Sequence, residues 1–101
     1  MSVYIIDAVR MNARTGLVEQ VRWGKVDHTH NHWEVEPVIS DVTDVVEKIL
    51  SGEEVRTVFP VGHFTVLGPK VGITISSHGK DIEVIDPDDH PGCTVGELPT
   101  F

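Results

Sequence analysis

A single cysteine, Cys93, rules out any disulfide within the chain, so the fold rests on packing alone. Basic residues are also scarce: eight Lys and Arg stand against sixteen Asp and Glu, a formal net charge of −8. Such a chain lacks the clustered cations that displace phosphate counterions, which excludes the usual route to nucleic acid. Long apolar runs are missing too, so no membrane-spanning helix is expected. The opening Met-Ser-Val-Tyr-Ile-Ile-Asp lacks the basic region and apolar run of a signal peptide. Together these lacks predict a cytoplasmic protein with no membrane and no nucleic-acid partner.

Several chemistries want for their parts. Cys93 follows Asp86, Asp88 and Asp89, whose negative field disfavours the thiolate that a nucleophile requires. Ser76-Ser77-His78 are neighbours in sequence and form no nucleophile elbow. The glycines at 62, 68, 72 and 79 fall at strand ends and turns, not in a phosphate-cradling loop. Asp86, Asp88 and Asp89 lack the order of an EF-hand and read as a solvated acidic segment. No catalytic residue and no organic cofactor is assigned.

What is present, 40% hydrophobic and 24% charged residues, is the composition of an ordinary globular domain. Val3 to Met11 is rich in apolar and β-branched residues and predicts a buried strand. Asn12 to Gly16 reads as a turn, and Leu17 to Val26 as a half-buried partner strand, with Leu17, Val21 and Trp23 on one face. Asp27 to Glu36 is polar and reads as a loop or a frayed strand extension, ended by Pro37.

Val42, Val45, Val46, Ile49 and Leu50 recur at helical period behind the N-cap candidates Ser40 and Asp41, with Gly52 placed to close the helix. The spacing predicts a helix over 41–51. A third strand is then expected at Val55–Val61, where Pro60 suggests an edge or a bulge. Gly62-His63 reads as a turn or bulge before Phe64–Leu67, Gly68-Pro69 as a stronger break, and two further strands follow at Val71–Ile75 and Asp81–Asp86. The predicted fold is α+β: a mainly antiparallel sheet of about five strands, β-β-α-β-β-β, with one helix packed on one face. Residues 1–86 form the single domain. Residues 87–101 form an acidic, Pro- and Gly-rich, largely irregular tail, which Leu98 and Phe101 could dock.

Charge is unevenly placed: +2 over residues 1–26, −4 over 27–80 and −6 over 81–101. The basic hairpin and acidic end attract one another weakly, within the chain or between copies.

Asp27-His-Thr-His-Asn-His-Trp-Glu34 is the most unusual stretch. Imidazole is the commonest metal ligand, and on a strand every second residue faces one side, so His28, His30 and His32 are candidate ligands for a divalent transition metal such as zinc or nickel. One ion would take two of the three, completed by His63, His78, His90 or a carboxylate. The plainer alternative is a solvated histidine-bearing loop. The six histidines would also gain charge near pH 6.5, as any surface histidines do. Trp33, in the same polar stretch, is either a core plug or an exposed anchor for a partner.

The layout also resembles a family. Val9-Arg-Met-Asn12, the glycine turn, Ile49-Leu-Ser-Gly-Glu-Glu-Val55 and Glu97-Leu-Pro99 are similar to segments of small bacterial proteins grouped as a domain of unknown function. The resemblance covers most of the chain, rests on common residue types, and implies a bacterial α+β domain with no catalytic residue to carry over. The histidine-rich stretch and the acidic tail depart from it. With no assembled reaction centre, the expected function is a small binding or adaptor module acting on a protein partner or as a homo-oligomer, the alternative being metal binding through His28, His30 and His32.

Overall fold

A computed structural model describes residues 2–27, 32–61, 64–76, 79–85 and 95–101. The chain is α+β, with six strands and one helix in the order β1 (Ser2–Met11), β2 (Val18–Asp27), β3 (His32–Asp41), α1 (Val42–Leu50), β4 (Val55–Val61), β5 (Phe64–Ser76) and β6 (Gly79–Val84). The sheet runs β3-β2-β1-β4-β5-β6. All pairs are antiparallel except β1 with β4, which is parallel. The expected five-stranded, mainly antiparallel sheet is corrected to six strands of mixed direction. The added strand is β3, most of which falls in the stretch read as a loop or a frayed strand extension, and it runs on through Pro37. The parallel pair arises because β2, β3 and α1 intervene between β1 and β4, long enough for a crossover that returns the chain to β1 in the same direction.

The hairpin forms as its residues dictate. Asn12 accepts hydrogen bonds at Oδ1 from the backbone N–H groups of Arg14 and Thr15. Gly16 takes φ 73°, a left-handed conformation that suits glycine. Val18, Val21 and Trp23, rather than Leu17, fill the buried face of β2, because the register shifts near Arg10 and Met11. In α1, Val45 and Val46 are buried while Val42 and Ile49 are half-buried. Leu50, expected on the same stripe, is exposed, since the helix ends there. Gly52 closes it at φ 92°, with its N–H donating to the Ile49 carbonyl.

Gly68-Pro69 does not break the chain as expected; β5 runs through it. A Cβ at Gly68 would collide with Thr57 Oγ1 and lie 2.9 Å from the Phe59 ring, so the missing side chain lets β5 press onto β4. Pairing with β4 shifts register there, and from Val71 onward β5 pairs with β6 instead. Pro60 lies beyond the three residues through which β4 pairs with β1, where its missing N–H removes no bond to that neighbour.

The core gathers on the helix side of the sheet: Ile6, Val9, Val21, Trp23, Val45, Val46, Val55, Phe59, Val71, Ile82 and Val84. α1 touches β6 as well as β2, and Asp81 at the start of β6 reaches the first residue of β2. The sheet therefore curls until its last strand meets the first hairpin. A 3-10 turn, Val95–Glu97, brings Val95 and Leu98 into that core. The chain end then runs parallel to β1: the Val9 N–H donates to the Pro99 carbonyl at 2.9 Å, and the Phe101 N–H to the Val9 carbonyl at 3.1 Å. Among the described residues no helix is long and apolar enough to cross a membrane.

Asp81 is buried, and its Oδ1 accepts from the N–H groups of Val18 and Ile82. Replacing it by Ala leaves two donors unsatisfied. Asp81→Ala is expected to cost about 1–3 kcal/mol in urea unfolding, and Asp81→Asn, which keeps an acceptor oxygen, clearly less.

Candidate functional site

β3 is the outermost strand on one side of the sheet, and nearly every residue on it is exposed. Four are large and apolar: Trp33 (42% exposed), Val35 (45%), Val38 (51%) and Ile39 (57%). Isolated exposed apolar residues need no explanation, but four on one edge strand form a patch.

Register assigns each to a face. Val38 pairs with Trp23, and Val35 with Lys25, whose ammonium lies 5.3 Å from the Tyr4 ring centre. Tyr4 packs on Trp23 with ring centres 4.7 Å apart, and Lys48 of α1 approaches the same ring at 5.7 Å. Val35 and Val38 therefore share the helix side. Ile39 pairs with Arg22 and lies on the opposite side. Trp33 lies there too: a Cβ on Gly24 would be 2.7 Å from its ring, and Gly24 is the register partner of Ile5, whose neighbour Ile6 faces the core. The indole fills the hollow left by the absent side chain and covers part of the back face, with its remaining surface in solvent. It is plug and exposed aromatic at once.

The pairing of β3 with β2 is uneven. The register shifts between Trp23 and Lys25 and again between Lys25 and Val26, so β3 holds extra residues around Glu34 and around Glu36-Pro37. The longest run that pairs without interruption is Val38–Asp41. Bulges and proline are how edge strands are kept from open-ended pairing, and here they confine the regular edge to four residues.

The charges along this edge are all of one sign. Between Lys25 and Lys48 the sequence has six carboxylates and no lysine or arginine. On β3 these are Glu34, which accepts a hydrogen bond from the Ser2 hydroxyl at 2.6 Å, Glu36, and Asp41, which accepts from the Gln20 amide at 3.4 Å. Both donors are neutral and leave the negative charge in place. The nearest guanidinium, Arg22, is held by Asp7 through Nε at 2.8 Å and a second nitrogen at 3.2 Å. That hydrogen bond, and then the carboxylate's charge, raise the Arg22 pKa further above its usual value, so it stays charged.

Of the histidines expected to bind metal, His28 and His30 lie outside the described residues, as do His63, His78, His90 and Cys93. His32 opens β3, exposed, as the register partner of Asp27. Among the described residues no three His, Cys, Asp or Glu side chains converge as metal ligands would. A cleft of about 300 Å³ between β6 and the first hairpin is lined by Met11, Val18, Ile82 and Val95 with Asp81 and Glu83. Its one buried carboxylate is committed to backbone N–H groups, which gives it a structural role.

Trp33 and His32 were visible in the sequence. Val35, Val38 and Ile39 carry no such signal individually; the one sequence feature that distinguishes their segment is the absence of lysine and arginine between Lys25 and Lys48. Comparison of the chain with protein-family models, with curated proteins and with solved structures finds no match.

Gly24→Ala is expected to push the indole out of its hollow, since the new methyl would also lie 2.6 Å from the Val35 carbonyl oxygen. The expected readings are a red shift in tryptophan emission, with Trp23 as the buried background, and a loss of about 1–3 kcal/mol in stability.

Proposed function

We propose that the protein is a small binding module acting through a protein partner or through self-association, with β3 as its contact strand. The observation that carries this is the two-sided exposure of Trp33, Val35, Val38 and Ile39 on the outermost strand. Apolar side chains on both faces of an edge are what an added strand covers, because its own side chains alternate between those faces.

A photo-crosslinking side chain placed at Ile39 is expected to form adducts in the host cell, with a partner or with a second copy. The same group at Arg14, exposed in the hairpin turn, is expected to form none, and Val38→Lys should suppress the adducts from position 39. Equal labelling from both positions, or none from 39, would remove this assignment.

A second reading is a divalent transition-metal site built on His28, His30 and His32. It is favoured by the pairing of Asp27 with His32, which sets a carboxylate beside an imidazole at the root of the histidine-bearing connection. Calorimetry with zinc and nickel decides it. The site predicts a dissociation constant below about 1 μM that His30→Ala weakens at least about tenfold. Weaker binding, unchanged by that substitution, removes it.

A further inference from the structure

We infer that the occupant of the β3 edge is a cationic extended segment of a partner protein, adding as a strand along Val38–Asp41. This rests on the binding-module reading above and specifies the partner's chemistry.

Three features select it. The uninterrupted pairing of Val38–Asp41 with β2 leaves a short regular edge, long enough to align an extended chain and too short to template a growing sheet. The exposed side chains alternate across it, Val38 toward the helix side and Ile39 toward the back, with Val35 and Trp33 further along. A strand placing small apolar residues on both faces would bury them. The flanking charges are Glu34, Glu36 and Asp41; of the neighbouring cations Arg22 is paired with Asp7, Lys25 lies over Tyr4 on the helix side, and Lys80 shares a cavity with Asp41 alone of the three.

The same charges disfavour a second copy. Pairing β3 with another β3 brings together two strands that each carry three carboxylates and no lysine or arginine, and like charges on neighbouring strands are destabilising. A lysine- or arginine-bearing strand meets those carboxylates favourably, and the contact is strongest at low ionic strength.

The test titrates the full chain, labelled for backbone amide NMR, with a synthetic peptide of about nine residues, a strand's length, in which lysine alternates with valine and threonine. Its counterpart has glutamate for lysine. The lysine peptide is expected to shift the amides of Val38–Asp41 and the Trp33 indole. Removing carboxylates as Glu36→Gln and Asp41→Asn is expected to weaken binding about threefold each, the scale of an exposed ion pair. Raising the ionic strength to about 1 M, where the Debye length is about 3 Å, should weaken it further.

If the glutamate peptide binds β3 equally, or light scattering shows a dimer whose NMR contacts fall on β3, the cationic assignment fails while the binding-module reading stands. If both peptides leave β3 unperturbed and position 39 gives no crosslink, both fail.

Discussion

A nine-residue helix cannot cover a six-stranded sheet, and much of this structure follows from that mismatch. At about 1.5 Å per residue α1 is about 14 Å long, and helices are about 10 Å wide. Six strands at about 4.8 Å spacing span about 24 Å. The valine stripe of α1 enters the core and packs against β6 more than against any other strand. The rest of that face is closed by curling the sheet until β6 meets the first hairpin, where Asp81 joins them, and by turning Val95 and Leu98 inward. β3, at the far edge, touches α1 and still leaves nearly every one of its residues exposed. Its apolar residues stay in solvent on both faces: Val35 and Val38 on the helix side, Trp33 and Ile39 on the back.

The back of the sheet is managed differently. Val3, Ile5 and Ala8 of β1 are buried yet stand outside the main core cluster. Part of their cover is the Trp33 indole seated over Gly24. One aromatic on the edge strand thus serves the fold on one side and presents a surface on the other. A partner meeting that surface would meet a side chain already fixed in place, so little conformational freedom remains to be lost on binding.

The parts of the fold legible in the sequence are those carried by local pattern. The period of Val42, Val45, Val46 and Ile49, the glycine after it, and the Asn12–Gly16 turn each act through neighbours a few residues away. β3 was illegible for a physical reason. Two register shifts move its apolar residues from one face to the other, so Trp33, Val35, Val38 and Ile39 keep no period of two, and Pro37 together with the histidine-rich stretch that ends at His32 gives the segment the composition of a loop. The parallel pairing of β1 with β4 was equally hidden, since residues about fifty apart choose each other by burial. Gly68-Pro69 misled in the opposite sense. Its glycine is demanded by the close approach of Thr57 and Phe59, a tertiary contact that looks like a turn signal in one dimension. At the candidate site, Trp33 and His32 could be named in advance, whereas the exposure of Val38 and Ile39 depends on β3 being the outermost strand, which only the tertiary fold decides.

Backbone amide hydrogen exchange on the isolated chain tests the central claim most directly. If β3 is an open edge on a sheet whose stability is centred on β1, amides of Val3–Val9 exchange only through global unfolding. At least half of those in Val38–Asp41, the ones directed away from β2, then exchange orders of magnitude faster. Uniform protection of Val38–Asp41 at the level of β1 would contradict the account, because it would mean that the edge is already covered.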